Sequence, residues 1–237
     1  MKKSLRNIYK SIPLKYRDYF HYCIHKINNN LILLKMLHVR EKRTFKRMDN
    51  QRASHILRIG ESQYFSGSIS TNYQVFAKNF LDVTRSINVL RKFRYVIADN
   101  VIEHLTLSQA RLMLRNIYEV LDEAGTVRIS TPDIEEIVKK YTSASKQDLQ
   151  DFAEEMSPHG LQILYPVDLL HGTFSAFGHH KGFLWDFDTL KIELEAAGFI
   201  QVRKFKPGSS DIPELKNLEK RLNGCNTWAQ MSIEANK

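Results

Sequence analysis

Three short apolar runs set the tightest limit on how this chain can fold, because each stops at a residue suited to a turn. Ile56-Leu-Arg-Ile ends at Gly60, Tyr95-Val-Ile-Ala ends at Asp99-Asn100, and Val127-Arg-Ile-Ser leads to Pro132-Asp133. Runs of this length, bounded by Gly, Asp or Pro, read as buried strands. A helical repeat lies between the last two. Leu107, Ala110, Leu114, Ile117 and Leu121 recur at three- and four-residue spacing, behind Thr106 or Ser108 as a cap and ahead of Gly125. Shorter strands are expected over Ile69–Asn72 and Val75–Leu81. Pro132 should open a helix that buries Ile134, Ile137, Val138 and Tyr141. Asp188 should cap another that ends at Gly198. A strand over Ile200–Phe205 follows, and the alternation of Ala229, Met231 and Ile233 suits a late antiparallel strand. Strands alternating with helices predict an α/β fold with an open, doubly wound, mostly parallel sheet.

Charge divides the chain. Residues 1–52 hold 14 Lys and Arg against Asp18, Glu41 and Asp49, whereas the remaining 185 residues hold 21 basic and 23 acidic groups. The sequence is therefore read as a basic, helical N-terminal extension over 1–52 and an α/β domain over 53–237. Within the extension, Ile24, Ile27, Leu31, Leu34 and Leu37 fall at helical spacing, interrupted by Asn28–Asn30. Such a segment attracts phosphate backbones, anionic lipid head groups or acidic partners, or is simply a solvated face. Residues 143–182, rich in Ser, His and Gly, read as an irregular lid or insertion. The two cysteines, Cys23 and Cys225, lie far apart and outside any metal-type spacing, which suits a reducing compartment. The longest apolar run near the N-terminus, Leu31–Val39, is broken by Lys35 and is too short to span a bilayer. A cytoplasmic protein, peripheral to a membrane at most, is expected.

Open α/β sheets bind ligands at the carboxyl ends of their strands. Gly60, Asp82, Asp99, Asn100 and Asp133 all fall at such ends. Asp133, after Pro132, is expected to serve a helix N-terminus. No nucleophilic triad, phosphate-cradling GxxxxGK loop or paired-carboxylate pattern is present. His171, His179 and His180 cluster in the lid without a metal-binding spacing, so no metal site is expected. Phe183, Trp185 and Phe187 read as packing residues.

The segment Tyr95-Val-Ile-Ala-Asp-Asn-Val-Ile-Glu-His-Leu105 resembles the fourth strand and following turn of class I S-adenosylmethionine-dependent methyltransferases. Val120-Leu-Asp-Glu-Ala-Gly-Thr-Val-Arg-Ile-Ser-Thr-Pro-Asp133 is similar to the family's next helix end and strand. Gly178-His-His-Lys-Gly-Phe-Leu-Trp-Asp186 and Thr189–Phe199 resemble its closing segments. The resemblance covers residues 54–234 and is nearest to small methyltransferases of polysaccharide biosynthesis. It implies a Rossmann-like fold and S-adenosylmethionine as cofactor. It also implies a sugar or glycan intermediate as acceptor, methylated on oxygen.

By the same resemblance, Gly60, Glu61 and Ser62 would meet the methionine end of the cofactor, Asn72 the ribose and Asp82 the adenine. Asp99 and Asn100 would form the polar rim. His179 matches the position of a base, and His104, beside Glu103, is a second acid–base candidate. The sequence departs from the family at two of these positions. Ser62 replaces a second glycine, placing a Cβ where backbone should approach the ligand. Asn72 replaces a carboxylate that accepts hydrogen bonds from both ribose hydroxyls. These departures raise an alternative: a catalytically silent relative that keeps the fold as a binding or scaffold module. Nucleic acid ranks last among the partners, because the basic arm lacks interleaved aromatic residues.

Overall fold

The computed structural model describes residues 31–50, 55–60, 68–71, 81–157, 161–175, 181–218, 220–221, 224–225 and 229–237. Its described helices are α1 (Leu31–Asn50), α2 (Leu107–Val120), α3 (Ile134–Thr142), α4 (Lys146–Met156), α5 (Asp168–Ser175) and α6 (Phe187–Ala196). Its described strands are β1 (Ile56–Gly60), β2 (Ser68–Thr71), β3 (Phe93–Asp99), β4 (Leu121–Pro132), β5 (Ile200–Phe205), β6 (Lys220–Arg221), β7 (Gly224–Cys225) and β8 (Gln230–Asn236). Compact packing defines two units. One is built on residues 40–136 and 181–237; the described part of the other is 31–39, 137–157 and 161–175.

The larger unit holds a six-stranded sheet in the order β2-β1-β3-β4-β8-β5. The pairs β2–β1, β1–β3 and β3–β4 are parallel. β8 runs antiparallel to both of its neighbours, β4 and β5. This is the expected Rossmann-like, mostly parallel sheet with one reversed late strand. The chain moves from β1 outward to β2, then returns to place β3 on the other side of β1. The crevice between β1 and β3 is therefore the topological switch point.

Period-two alternation gives the strands two distinct faces. Leu57, Ile59, Val96, Ala98, Val127, Ile129, Met231, Ile233 and Ala235 belong to one apolar core, which also takes Ala110, Met113, Leu114, Ile117 and Val120 of α2 and Leu190 and Leu194 of α6. Those α2 residues repeat every three or four positions, as a single buried stripe requires. Thr106 caps α2 in a reciprocal box with Gln109. Arg111 grips Glu193 of α6 through two bonds of 2.8 and 2.7 Å, which fixes the two helices side by side. The opposite sheet face packs Ile97 against Leu215, Leu218 and Ile212 of the segment after β5.

The second half of α1 is part of this unit. Glu41, Thr44 and Met48, at three- and four-residue spacing, are buried. Glu41 Oε1 accepts the Asp82 N–H at 3.1 Å, and Asp49 Oδ1 accepts the Leu90 N–H at 2.9 Å. The stripe expected at Ile24, Ile27, Leu31, Leu34 and Leu37 differs from this one; Ile24 and Ile27 lie outside the described residues.

Several local expectations need correction. Within 143–182, expected to be irregular, α4 covers Lys146–Met156 and α5 covers Asp168–Ser175, while 158–160 and 176–180 lie outside the described residues. Ser145 caps α4 in a reciprocal box with Asp148, and that Ser-x-x-Asp spacing was the available signal. Helix α6 is capped by Asp186, whose carboxylate accepts the Thr189 N–H at 2.7 Å, so it starts earlier than an Asp188 cap would place it. In α3 only Ile137 is fully buried; Val138 and Tyr141 are exposed. In the smaller unit Gly172 of α5 lies against Phe152 of α4, where an added Cβ would sit 3.2 Å from the ring.

Candidate functional site

The carboxyl ends of β1, β3 and β4 bring three of the expected residues together. Gly60 pairs with Asp99, and Asp99 pairs with Ser130, so the three stand side by side across the sheet edge. Gly60 has φ +109, in the region that favours glycine. A Cβ there would fall 2.2 Å from the Asp99 carbonyl oxygen and 2.8 Å from Val101 Cγ2. Glycine is thus required by the close passage of the chain after β3. Asn100 also adopts positive φ, +49, and donates its N–H to the Ser130 carbonyl at 3.0 Å. Asn tolerates this conformation better than most residues, and strained positions of this kind gather at ligand sites. Asp99 is buried and Asn100 half-buried.

The turn after β3 is locked from below. Ile102–His104 form one 3-10 turn, closed by the His104 N–H to the Val101 carbonyl at 3.1 Å. Glu103 is buried, and its Oε2 accepts the Thr131 hydroxyl at 3.2 Å. The segment before α6 runs directly across this turn. Phe183 donates its N–H to the Leu105 carbonyl at 2.8 Å, and Trp185 Nε1 donates to the Ile102 carbonyl at 3.4 Å. Gly182 permits the approach, since a Cβ on it would overlap the Glu103 carbonyl oxygen. Glu103 therefore serves the architecture of the turn, and His104 is half-buried beside it. Phe183 and Trp185 meet edge to face at 4.8 Å, as packing residues.

Asp82 sits in a turn of its own. Its Oδ1 accepts the Thr84 N–H at 3.0 Å and the Thr84 hydroxyl at 2.7 Å. No described residue donates to Oδ2. Asp133 is fully buried and bridges two elements. Oδ1 accepts the Glu135 N–H at 3.1 Å at the start of α3, and Oδ2 accepts Lys204 Nζ of β5 at 2.6 Å. It acts as the expected helix-terminal acid. Asp186 carries a carboxyl held below its usual range, chiefly by the Thr189 N–H, with Lys204 adding to the effect. Glu61, Ser62, Asn72 and His179 lie outside the described residues, as does His180. Among the described residues no group of three or more His, Cys, Asp or Glu could hold a metal ion.

Asp99 and Asn100 supply a polar rim beside Gly60 at this edge, whereas the described contacts of Asp82 are with Glu41 and Thr84. The sequence missed Thr131 and Gly182, which hold the turn in place. Only the lack of a side chain at Gly182, just before Phe183-Leu-Trp185, could have signalled the close crossing.

No family model matches the chain, and no curated protein matches it. Among solved structures, the CurJ carbon methyltransferase aligns at 13% identity with a TM-score of 0.43, over 76% of this chain and 47% of that one. The chain thus spans about half the length of that structure. A SAM-dependent methyltransferase from Archaeoglobus fulgidus aligns at 14% identity and TM-score 0.40, over 85% and 94%. A structure assigned as a Zn-dependent alcohol dehydrogenase from Rhodobacter sphaeroides aligns at 14% identity and TM-score 0.43, over 78% and 84%. Similarities this distant carry no argument about activity, and the architecture stands on the strand order of the chain itself.

Proposed function

We propose that this chain is an S-adenosylmethionine-dependent methyltransferase acting on an oxygen of a sugar or glycan intermediate. One observation carries the reading: Gly60 and Asp99 face each other at the topological switch point, where open α/β sheets bind nucleotide-bearing ligands. The cofactor would supply a methyl group on a sulfonium sulfur, displaced in line by the acceptor oxygen. The protein's task is then alignment and proton removal. Gly60, Glu61 and Ser62 would receive the methionine end, Asn72 the ribose, Asp82 the adenine, and Asp99 and Asn100 the rim. His179 would take the acceptor's proton, with His104 as the alternative base. The basic residues of 1–52 would keep the protein at an anionic membrane surface on the cytoplasmic side, near a lipid-linked acceptor.

Two features favour a second reading, a catalytically silent module with the same fold. The absent side chain of Gly60 is already explained by the Asp99 carbonyl, and one Asp82 oxygen by Thr84. Titration calorimetry with S-adenosylmethionine and S-adenosylhomocysteine separates the two. The enzyme reading expects heat of binding for both, tightened by Ser62→Gly with Asn72→Asp. Absence of binding at millimolar ligand overturns it and leaves the module.

A further inference from the structure

We propose that the outer face of α1 is a docking strip that lies flat on the head-group layer of an anionic bilayer. The inference rests on the membrane role proposed above for residues 1–52 and narrows it to one face of one helix. In α1, Lys35, Lys42, Arg43, Lys46 and Arg47 are all exposed. At 3.6 residues per turn they fall within an arc of about 140°. The helix has two acids, Glu41 and Asp49, and both lie outside that arc. Each is turned to the domain: Glu41 accepts the Asp82 N–H and stands 3.8 Å from Arg85, and Asp49 accepts the Leu90 N–H. The negative charges of α1 are thus engaged in anchoring the helix, while its positive ones face outward. Such a face weakens the helix in water, because Lys42 with Lys46 and Arg43 with Arg47 are like-charge pairs four residues apart. A dense negative surface removes that repulsion.

Two aliphatic side chains decide which polyanion the face suits. Met36 and Val39 are 46% and 48% exposed and fall within the same arc as the cations. Aliphatic groups interleaved with Lys and Arg on one helix face are the chemistry of peripheral binding to anionic lipid, because area burial and counter-charge add. The long stems of Lys and Arg can cover the apolar layer while their heads stay at the phosphates. Single-stranded nucleic acid asks instead for aromatic platforms. The one Phe, Tyr or Trp of α1, Phe45, packs against the apolar core on the other side of the helix. No helix among the described residues is long and apolar enough to cross a membrane, so the contact is superficial.

The test uses the full chain with vesicles of phosphatidylcholine, with and without added phosphatidylserine, in a sedimentation assay. Binding should require phosphatidylserine and fall steeply with salt. The triple variant Lys42→Gln, Arg43→Gln, Lys46→Gln should lose about a hundredfold in affinity and flatten the salt dependence. Met36→Ser with Val39→Ser should lose about tenfold and leave the salt dependence unchanged. Lys146→Gln, Lys206→Gln, Lys216→Gln removes the same charge from exposed positions elsewhere and should bind as the parent does. Circular dichroism melting reports folding, and Lys46→Gln alone, with about a fivefold loss, is the fallback should the first triple unfold. Equal losses by the two triples overturn the proposal, because net charge alone would then drive binding. So does tighter binding to a duplex oligonucleotide that the first triple abolishes, which gives the face to nucleic acid. Vesicle binding that the first triple leaves intact overturns this face alone and returns the membrane role to the rest of 1–52. A parent that binds neither vesicle overturns both. None of these outcomes depends on the cofactor, so the calorimetric titration stands apart from them.

Discussion

The two faces of the sheet are buried by opposite chemistry. On one, Leu57, Ile59, Val96, Ala98, Val127, Ile129, Met231 and Ile233 join a single apolar core. On the other, Arg58, Asp99, Thr126, Arg128, Ser130, Ser232 and Glu234 are each less than 5% exposed. The register lines up Arg58, Ile97, Arg128 and Glu234 as one cross-strand row. Arg128 and Glu234 pair at 2.5 Å, and Arg58 Nη2 donates to the Leu218 carbonyl at 3.5 Å. Asp99, Ser130 and Ser232 form the next row, toward the carboxyl edge. The apolar face gains stability with each group buried. The polar face must satisfy every charge it hides, and its net benefit over an apolar replacement is small. The difference predicts opposite responses to mutation. Glu234→Ala leaves the Arg128 charge buried without its partner and should cost about 3–5 kcal/mol. Arg128→Met with Glu234→Leu should recover most of that loss in urea denaturation. A double variant as unstable as the single one would show that the pair is needed as a pair.

The apolar face should offer no such rescue. Leu114→Ala in α2 removes a fully buried side chain and should cost about 3 kcal/mol, by lost transfer energy and the cavity left behind. Ile233→Ala on β8 should cost a similar amount. The two should add if their cavities are independent, and a sub-additive double variant would mean one shared void. At the carboxyl edge, Gly60→Ala should cost about 2 kcal/mol through backbone strain, before any overlap with the Asp99 carbonyl is relieved. If the edge also holds cofactor, this variant should weaken S-adenosylhomocysteine binding beyond its effect on stability, read by calorimetry at a temperature where both proteins are folded.

This contrast between faces also explains what the sequence made legible. Strands β3, β5 and β8 stand out because apolar or alternating runs end at clear turn residues, although alternation at Met231 and Ile233 marks the strand and not its direction, which the pairing with β4 and β5 sets. The buried polar face was not legible. Arg58 and Arg128 each interrupt an apolar run, and a lone arginine there looks like the solvent side of a strand. Only the partners across the sheet, Ile97 and Glu234, reveal otherwise. Strand β4 runs from Leu121, well before Val127, but its register with β3 breaks between Leu121 and Thr126, so Gly125 does punctuate the ladder there. Of the candidate site, Gly60, Asp99 and Asn100 could be placed at one edge because strand ends in a parallel sheet share an edge. Asp82 engages Thr84 two residues on, a local bond that its position alone does not distinguish from a ligand role. Val138 and Tyr141 fit a helical stripe by spacing, but spacing cannot say how wide a stripe the neighbouring elements cover.

The smallest expected effect lies away from both faces, at the cap of α4. Asp148 is lowered to about 2, first by the Ser145 hydroxyl, then by the Ser145 N–H, with Lys140 contributing at 3.3 Å. A depressed carboxylate contributes stability that is present above its unfolded value, about 3.9, and is lost as pH falls through the folded value. The contribution should therefore fade between about pH 4 and pH 2, while the apolar face is indifferent to pH in that range. Ser145→Ala removes the hydroxyl bond but keeps the backbone one, so the carboxyl should titrate part of the way back toward 3.9. A carbon-13 chemical-shift titration of Asp148 in parent and variant measures this directly. An unchanged midpoint would assign the shift to Lys140 and the backbone, and Lys140→Ala would then be the variant that raises it.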